Sequence, residues 1–245
     1  MQIRKHKNLE PKLWDKNNLL RKPVSDIILK MVGSYLLSVR EISRVNIDNS
    51  DITDVFVYGS CANYFYNKKS DIDVCIVIDV DSVMAKNPGM NVLHNLKLYY
   101  YNWSITHRCR IYGRGLDVSF EDAKKTETYK RYRSGPGFSV LTNSWIFEPV
   151  VISDSEFKKI QNDANKVYRQ VMSDYRRTKR HGFKLEEVHK LYSDIYAAKN
   201  MTHEVNVDQP ITYMYIAFRR IRNRGLINIL RDKIVELESH EFVLK

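Results

Sequence analysis

Gly59 and Ser60 close the run Val57-Tyr58-Gly59-Ser60, and after ten intervening residues Asp71 and Asp73 open the run Asp71-Ile72-Asp73-Val74. Two carboxylates at i and i+2 on a strand point to the same face. Side by side they repel, and keeping both ionised favours a bound hard cation with a taste for oxygen, Mg²⁺ above all or Mn²⁺. A glycine at the end of the preceding strand lets backbone amides approach a phosphate, and Ser60 adds a hydroxyl donor beside it. A phosphate cradle next to a carboxylate pair suits in-line phosphoryl or nucleotidyl transfer assisted by two metals roughly 3.5 to 4 Å apart. The plainer alternative is a β-turn followed by a solvated strand edge. The neighbours weigh against it, because Asp71 and Asp73 start an otherwise apolar strand (Ile72, Val74, Ile76, Ile78) where unpaired buried acids would be costly.

At this point the sequence resembles the DNA polymerase β-like nucleotidyltransferase superfamily, whose signature is a strand ending in Gly-Ser, a helical turn, then Asp-x-Asp on the next strand. Ala62 and Ser70 also match the minimal form of that loop. The resemblance implies an α/β (α+β) fold with a mixed sheet and flanking helices, an NTP substrate, and a third carboxylate on a neighbouring strand. Asp117, in Gly115-Leu116-Asp117-Val118-Ser119-Phe120, is the candidate for that acid. It would help hold a metal and deprotonate the acceptor hydroxyl. A closer likeness runs over much of residues 10–149. It includes Glu10-Pro11-Lys12-Leu13-Trp14-Asp15, Pro23-Val24, Trp103-x-x-x-His107, Tyr112-Gly113 and Trp145-Ile146-Phe147-Glu148-Pro149, and it is to nucleotidyltransferase-domain proteins common in tailed phages. In that group the position of Asp117 is usually Glu, which keeps the charge but is one methylene longer.

Several neighbours have two readings. Lys68 and Lys69 either meet triphosphate oxygens or face water. Cys61 follows Ser60 but has no paired base, so it reads as a structural turn residue, and Cys75 as a buried strand residue. His107 and Trp103 either stack on a base or pack at the sheet edge. The basic segment from Lys124 and Lys125 through Arg131 and Arg133 to Gly135-Pro136-Gly137 is either a phosphate-gripping loop for the acceptor or a solvated one. Arg219 and Arg220, with Arg222 and Arg224, interleave with Tyr213, Tyr215 and Phe218. That mixture suits single-stranded nucleic acid, or else the aromatics are core.

The elements that must position these residues follow from periodicity. Behind Pro23, apolar residues at Ile27, Ile28, Met31, Val32, Tyr35, Leu36, Val39 and Ile42 predict a helix with one buried face. Residues 54–58 and 71–78 predict buried strands. A helix is expected around 90–103, a strand pair near 108–112 and 115–120, and a further strand within 144–152, interrupted by Pro149. Beyond Ser153 the pattern is helical: one stripe from Phe157 to Tyr175, a second from Leu185 to Tyr196, and a third from Met214 to Leu237 broken near Gly225. The expected division is a catalytic domain over 1–152 and a helical region over 153–245.

Composition sets the outer bounds. The chain has 245 residues, of which 43% are hydrophobic, enough for a substantial core. With 9 Gly and 6 Pro, collagen-like and linker-dominated architectures are excluded. No apolar run approaches the ~20 residues of a membrane helix, and no apolar stretch follows the basic start Met1–Lys5. The three cysteines form no CxxC pair, which argues for a reducing, cytoplasmic setting. The formal charge is +11, concentrated after residue 123: 23 basic against 15 acidic side chains, compared with 17 against 14 before it. That excess is compatible with a polyanionic partner.

The expected activity is therefore metal-dependent transfer of a nucleoside monophosphate from an NTP to an acceptor hydroxyl, with RNA or tRNA as the acceptor. A small-molecule or protein acceptor, and a non-catalytic nucleic-acid-binding protein of the same fold, are the alternatives.

Overall fold

The run of β-branched and aromatic residues in Ile52–Tyr58 (β1) and Ile72–Ile78 (β2) builds the middle of the sheet. In the computed structural model, which describes residues 3–68, 70–125, 136–201 and 211–243, these strands pair antiparallel with Tyr58 opposite Asp73. Arg110–Ile111 (β3) and Arg114–Asp122 (β4) form a hairpin, and β4 lies parallel to β2 with Asp73 opposite Asp117. Gly137–Ser139 (β5) and Ser144–Phe147 (β6) extend the other edge. The resulting mixed sheet has six strands in the order β3-β4-β2-β1-β5-β6.

Lys22–Ser38 (α1), Val80–Lys86 (α2) and Val92–His107 (α3) accompany this sheet. Ile28, Tyr35, Leu96 and Trp103 join Val55, Val57, Ile72, Val74, Ile76 and Phe120 in one buried cluster. These strand residues alternate with Phe56, Cys75 and Val77, which form a separate, smaller cluster. The period of two thus divides the sheet into a face committed to the main core and a face that carries Asp73 at one end.

Some expectations shift. Ile27 does not join the buried side of α1, whose stripe is filled by Val24, Ile28, Met31, Val32, Tyr35 and Leu36, and Ile42 lies beyond α1 in a π-helical turn, Val39–Ser43, that buries only Val39; the two are 44% and 70% exposed. The strand expected over 144–152 stops at Phe147. Pro149 cannot donate to a ladder, and Val151 is exposed. Strand β5 and helix α2 were not visible in the periodicity, being 3 and 7 residues long.

The chain divides into two units, one of residues 4–131 and 135–151, the other chiefly 152–245. The second contains Asp154–Arg180 (α4), Leu185–Met201 (α5), Tyr213–Asn223 (α6) and Leu226–Val243 (α7). Helix α4 opens on a capping box in which Ser153 accepts from the Glu156 amide and the Glu156 carboxylate accepts from the Ser153 amide. Gly225, at φ +76°, makes the break between α6 and α7. Val188, Leu191, Ile195, Phe218, Ile221, Leu230 and Ile234 form this unit's own core. Among the described residues, no helix is long and apolar enough to cross a membrane.

Candidate active site

Strand β1 ends at Tyr58, and the chain turns through a short 3₁₀ segment, Gly59–Ala62. Gly59 sits at φ +75°, and a Cβ built there would fall 2.0 Å from Asp73 Oδ2. Only glycine permits both the left-handed backbone and the approach of that carboxylate. Asp71 lies one residue before β2, and a Cβ on Gly115 would be 3.1 Å from Asp71 Oδ1. Gly115 and Asp117 share a face of β4 by strand alternation. Asp73 and Asp117 therefore lie on one face of adjacent strands, about 4.8 Å apart in the pairing direction, and Asp71 stands two residues before Asp73 at the same end.

Asp71 and Asp117 are exposed and Asp73 is half-buried, so solvent reaches the acids. The donor set is all carboxylate oxygen, which suits a hard divalent cation rather than zinc. Among the described residues, no group of three or more His, Cys, Asp or Glu side chains is gathered tightly enough to form a ready-made metal site. Along the same face, Tyr58 reaches across β2 to Ser119 on β4, Oη to Oγ 3.2 Å. Neither residue stood out in the sequence as part of this arrangement.

The Ser60-to-Asp71 loop is held from below. Arg114, at the start of β4, is buried and donates through Nη1 to the carbonyls of Asn67 (2.6 Å) and Ser70 (2.8 Å), while Nη2 pairs with the buried Glu10. Trp14 Nε1 donates to the Cys61 carbonyl at 2.8 Å. Glu10 and Trp14 belong to the string Glu10-Pro11-Lys12-Leu13-Trp14, whose spacing alone carried no contact information. Removing one member of a buried ion pair strands the other charge. Arg114→Met is expected to cost about 3–5 kcal/mol of unfolding free energy, read from urea melts of the variant beside the parent; a loss below about 1 kcal/mol would show that the pair does not hold the loop.

Burial pushes the Cys61 thiol up to about 12, and the negative charge of Asp73 adds to this against the opposing effect of Arg114. The group is a neutral thiol near neutral pH, as expected of a turn residue rather than a nucleophile. Cys75 is buried within the strand. His107 stacks on Trp103 at 4.2 Å and places Nδ1 2.9 Å from the Trp103 carbonyl, the packing alternative of the two.

Lys68 is exposed in the loop before Asp71. Lys69, Arg131 and Arg133 lie outside the described residues. In the helical unit, Arg219 covers the Tyr215 ring at 5.7 Å, and Arg220 donates to Asn165 on α4. Burial draws the Arg220 pKa below its ordinary value. Phe218 is core, whereas Tyr213 is 43% exposed.

Residues 39–132 match the family model described as the nucleotidyltransferase domain. No curated protein and no solved structure matched the chain. The match encloses the Gly59-Ser60 turn, β2 with its two aspartates, and Asp117 on β4. The chain carries a nucleotidyltransferase domain, of the polymerase β-like superfamily, across residues 39–132.

Proposed function

We propose that this protein transfers a nucleoside monophosphate from an NTP to an acceptor hydroxyl, with Mg²⁺ or Mn²⁺ held by Asp71, Asp73 and Asp117. The observation that carries the reading is the pairing of Asp73 with Asp117 across parallel strands, with Gly59 closed down on the Asp73 carboxylate. The backbone of the Gly59-Ser60 turn and the Ser60 hydroxyl bind the triphosphate, and Lys68 and Lys69 add positive charge beside it. When bound, the metal would neutralise charge building on the transferring phosphate.

Asp117, the acid farthest from the Gly-Ser turn in strand order, receives the acceptor's hydroxyl proton on its carboxylate. The acceptor oxygen then bonds to the α-phosphorus, the bond from that phosphorus to the bridging oxygen breaks, and pyrophosphate leaves. Incubation with each α-labelled NTP, Mg²⁺ or Mn²⁺ and a cell extract tests the reaction, with label expected in a macromolecular fraction. Absence of label with all four nucleotides would favour a non-catalytic protein of this fold.

The acceptor favoured is RNA or tRNA, on the net +8 of residues 124–245. Exposed Arg176, Arg177, Lys179 and Arg180 at the end of α4 and Arg222 and Arg224 after the core of α6 belong to that excess, as do Arg131 and Arg133. Arg219 is the better acceptor contact of its pair, since Arg220 is engaged by Asn165. Transfer to RNA is expected to fall steeply with salt, by roughly 10-fold or more between 50 and 200 mM at subsaturating acceptor, because each phosphate contact releases a counterion. Label that resists nuclease and migrates with protein, or transfer indifferent to salt, would move the acceptor to a protein or a small molecule.

A further inference from the structure

The two halves of the motif meet outside the ladder that orders the sheet. Ser60 belongs to the turn beyond β1, and Asp71 precedes the first residue of β2, so strand pairing alone does not set their positions. The loop joining them is contacted along its length by one segment of the chain, residues 6–14, which lies N-terminal to the matched domain. Trp14 donates to the Cys61 carbonyl. His6 donates its amide to the Tyr64 carbonyl at 2.8 Å, and its ring stacks on Tyr66 at 4.0 Å with Nε2 3.0 Å from the Tyr66 carbonyl. Glu10 anchors the Arg114 guanidinium that takes the carbonyls of Asn67 and Ser70.

The segment is itself fastened. Arg21 Nε donates to the Pro11 carbonyl, Trp14 stacks on Trp145 at 4.8 Å, and the Trp145 indole donates to the Asn18 carbonyl. Every one of these contacts on the loop is to a backbone carbonyl or an adjacent ring. They therefore fix main-chain position rather than side-chain identity, and main-chain position decides where the Gly59-Ser60 amides and the Asp71 carboxylate stand.

We infer that residues 6–14 are a positioning clamp for the nucleotide site, with Trp14 setting the Gly59–Ala62 turn and Glu10, through Arg114, setting Asp71. Neither residue touches the nucleotide. This rests on the nucleotidyl-transfer reading, which supplies the ligand that the clamp positions for. A merely structural segment would add global stability and leave ligand affinity alone; a clamp changes affinity in a protein that is still folded.

The discriminating variant is Trp14→Phe, which keeps an aromatic ring against Trp145 and Phe138 but deletes the indole donor. Binding of the α,β-methylene analogues of the four NTPs, with Mg²⁺, is measured by calorimetry well below the melting temperature. Trp14→Phe is expected to bind about tenfold more weakly than the parent, and amide exchange at residues 59–63 is expected to speed up while β1 and β2 keep their protection. Glu10→Gln tests the other wall and serves in place of Trp14→Phe should that variant not fold; the same weakening is expected, with faster exchange at 67–71.

Parent-like affinity in the folded variants, accompanied only by a lower melting temperature, would overturn the clamp and leave nucleotidyl transfer standing. A parent protein that binds none of the four analogues would overturn the nucleotidyl-transfer reading, and the clamp with it.

Discussion

Asp73→Asn is expected to fold as the parent does and to transfer nucleotide roughly 10³-fold more slowly, the scale of losing several kcal/mol of charge stabilisation at the transferring phosphate. The amide has the shape of the acid, so the half-buried position, the β1–β2 pairing opposite Tyr58 and the fit against Gly59 all survive. What disappears is one negative charge at the centre of three, which would be the one best placed to share a cation with either neighbour. Asp71→Asn and Asp117→Asn are expected to fall comparably; both side chains are exposed, where isosteric substitution changes stability by less than about 0.5 kcal/mol. Transfer of labelled nucleotide, with circular dichroism as the check on folding, reads all three. Near-normal turnover in Asp73→Asn would remove the acids from the reaction, and a mild effect confined to Asp117→Asn would point to another acid on β4, such as Glu121 or Asp122.

Gly59→Ala carries the second large effect. At φ +75° a non-glycine residue costs about 1–2 kcal/mol of backbone free energy, and the added methyl falls 2.0 Å from Asp73 Oδ2 and 2.8 Å from its Cγ. Either the turn or the carboxylate must move, and the carboxylate is the group whose position matters. Transfer is expected to fall about 10²-fold, the scale of a misplacement near 1 Å. Gly89→Ala separates the two contributions: its φ of +79° carries the same backbone cost, but nothing lies within 4 Å of the new methyl. It should lose similar stability in urea and retain full activity. Gly115→Ala, without a positive φ and with Asp71 Oδ1 at 3.1 Å, is expected to be milder than Gly59→Ala because an exposed carboxylate can swing aside. Parent-like transfer by Gly59→Ala would show that the closeness of Gly59 to Asp73 is incidental to the site.

The parts of the protein that could be read along the chain are those whose signal is local. The alternation in β2 and the run in β1 declared themselves because a strand buried on one face repeats with period two. Helix α4 was marked by its apolar stripe from Phe157 to Tyr175, and the α6–α7 break by Gly225. The Gly59-Ser60 and Asp71-x-Asp73 pieces share one hairpin, so their spacing already constrained their geometry. The string Glu10-Pro11-Lys12-Leu13-Trp14 was visible in the sequence, but what Glu10 and Trp14 touch was not.

The amino-acid order alone determined the chemistry on offer: two acids on one strand face, a glycine-serine turn, and a third acid on a short apolar strand. Only the tertiary structure decided that β4 runs parallel to β2 in the register that sets Asp117 opposite Asp73, since a slip of one residue would turn Asp117 to the other face. It also decided that Glu10 meets Arg114 across 104 positions of chain. Such pairings depend on which strands become neighbours, and that is settled by the burial of the whole sheet rather than by any local run of residues.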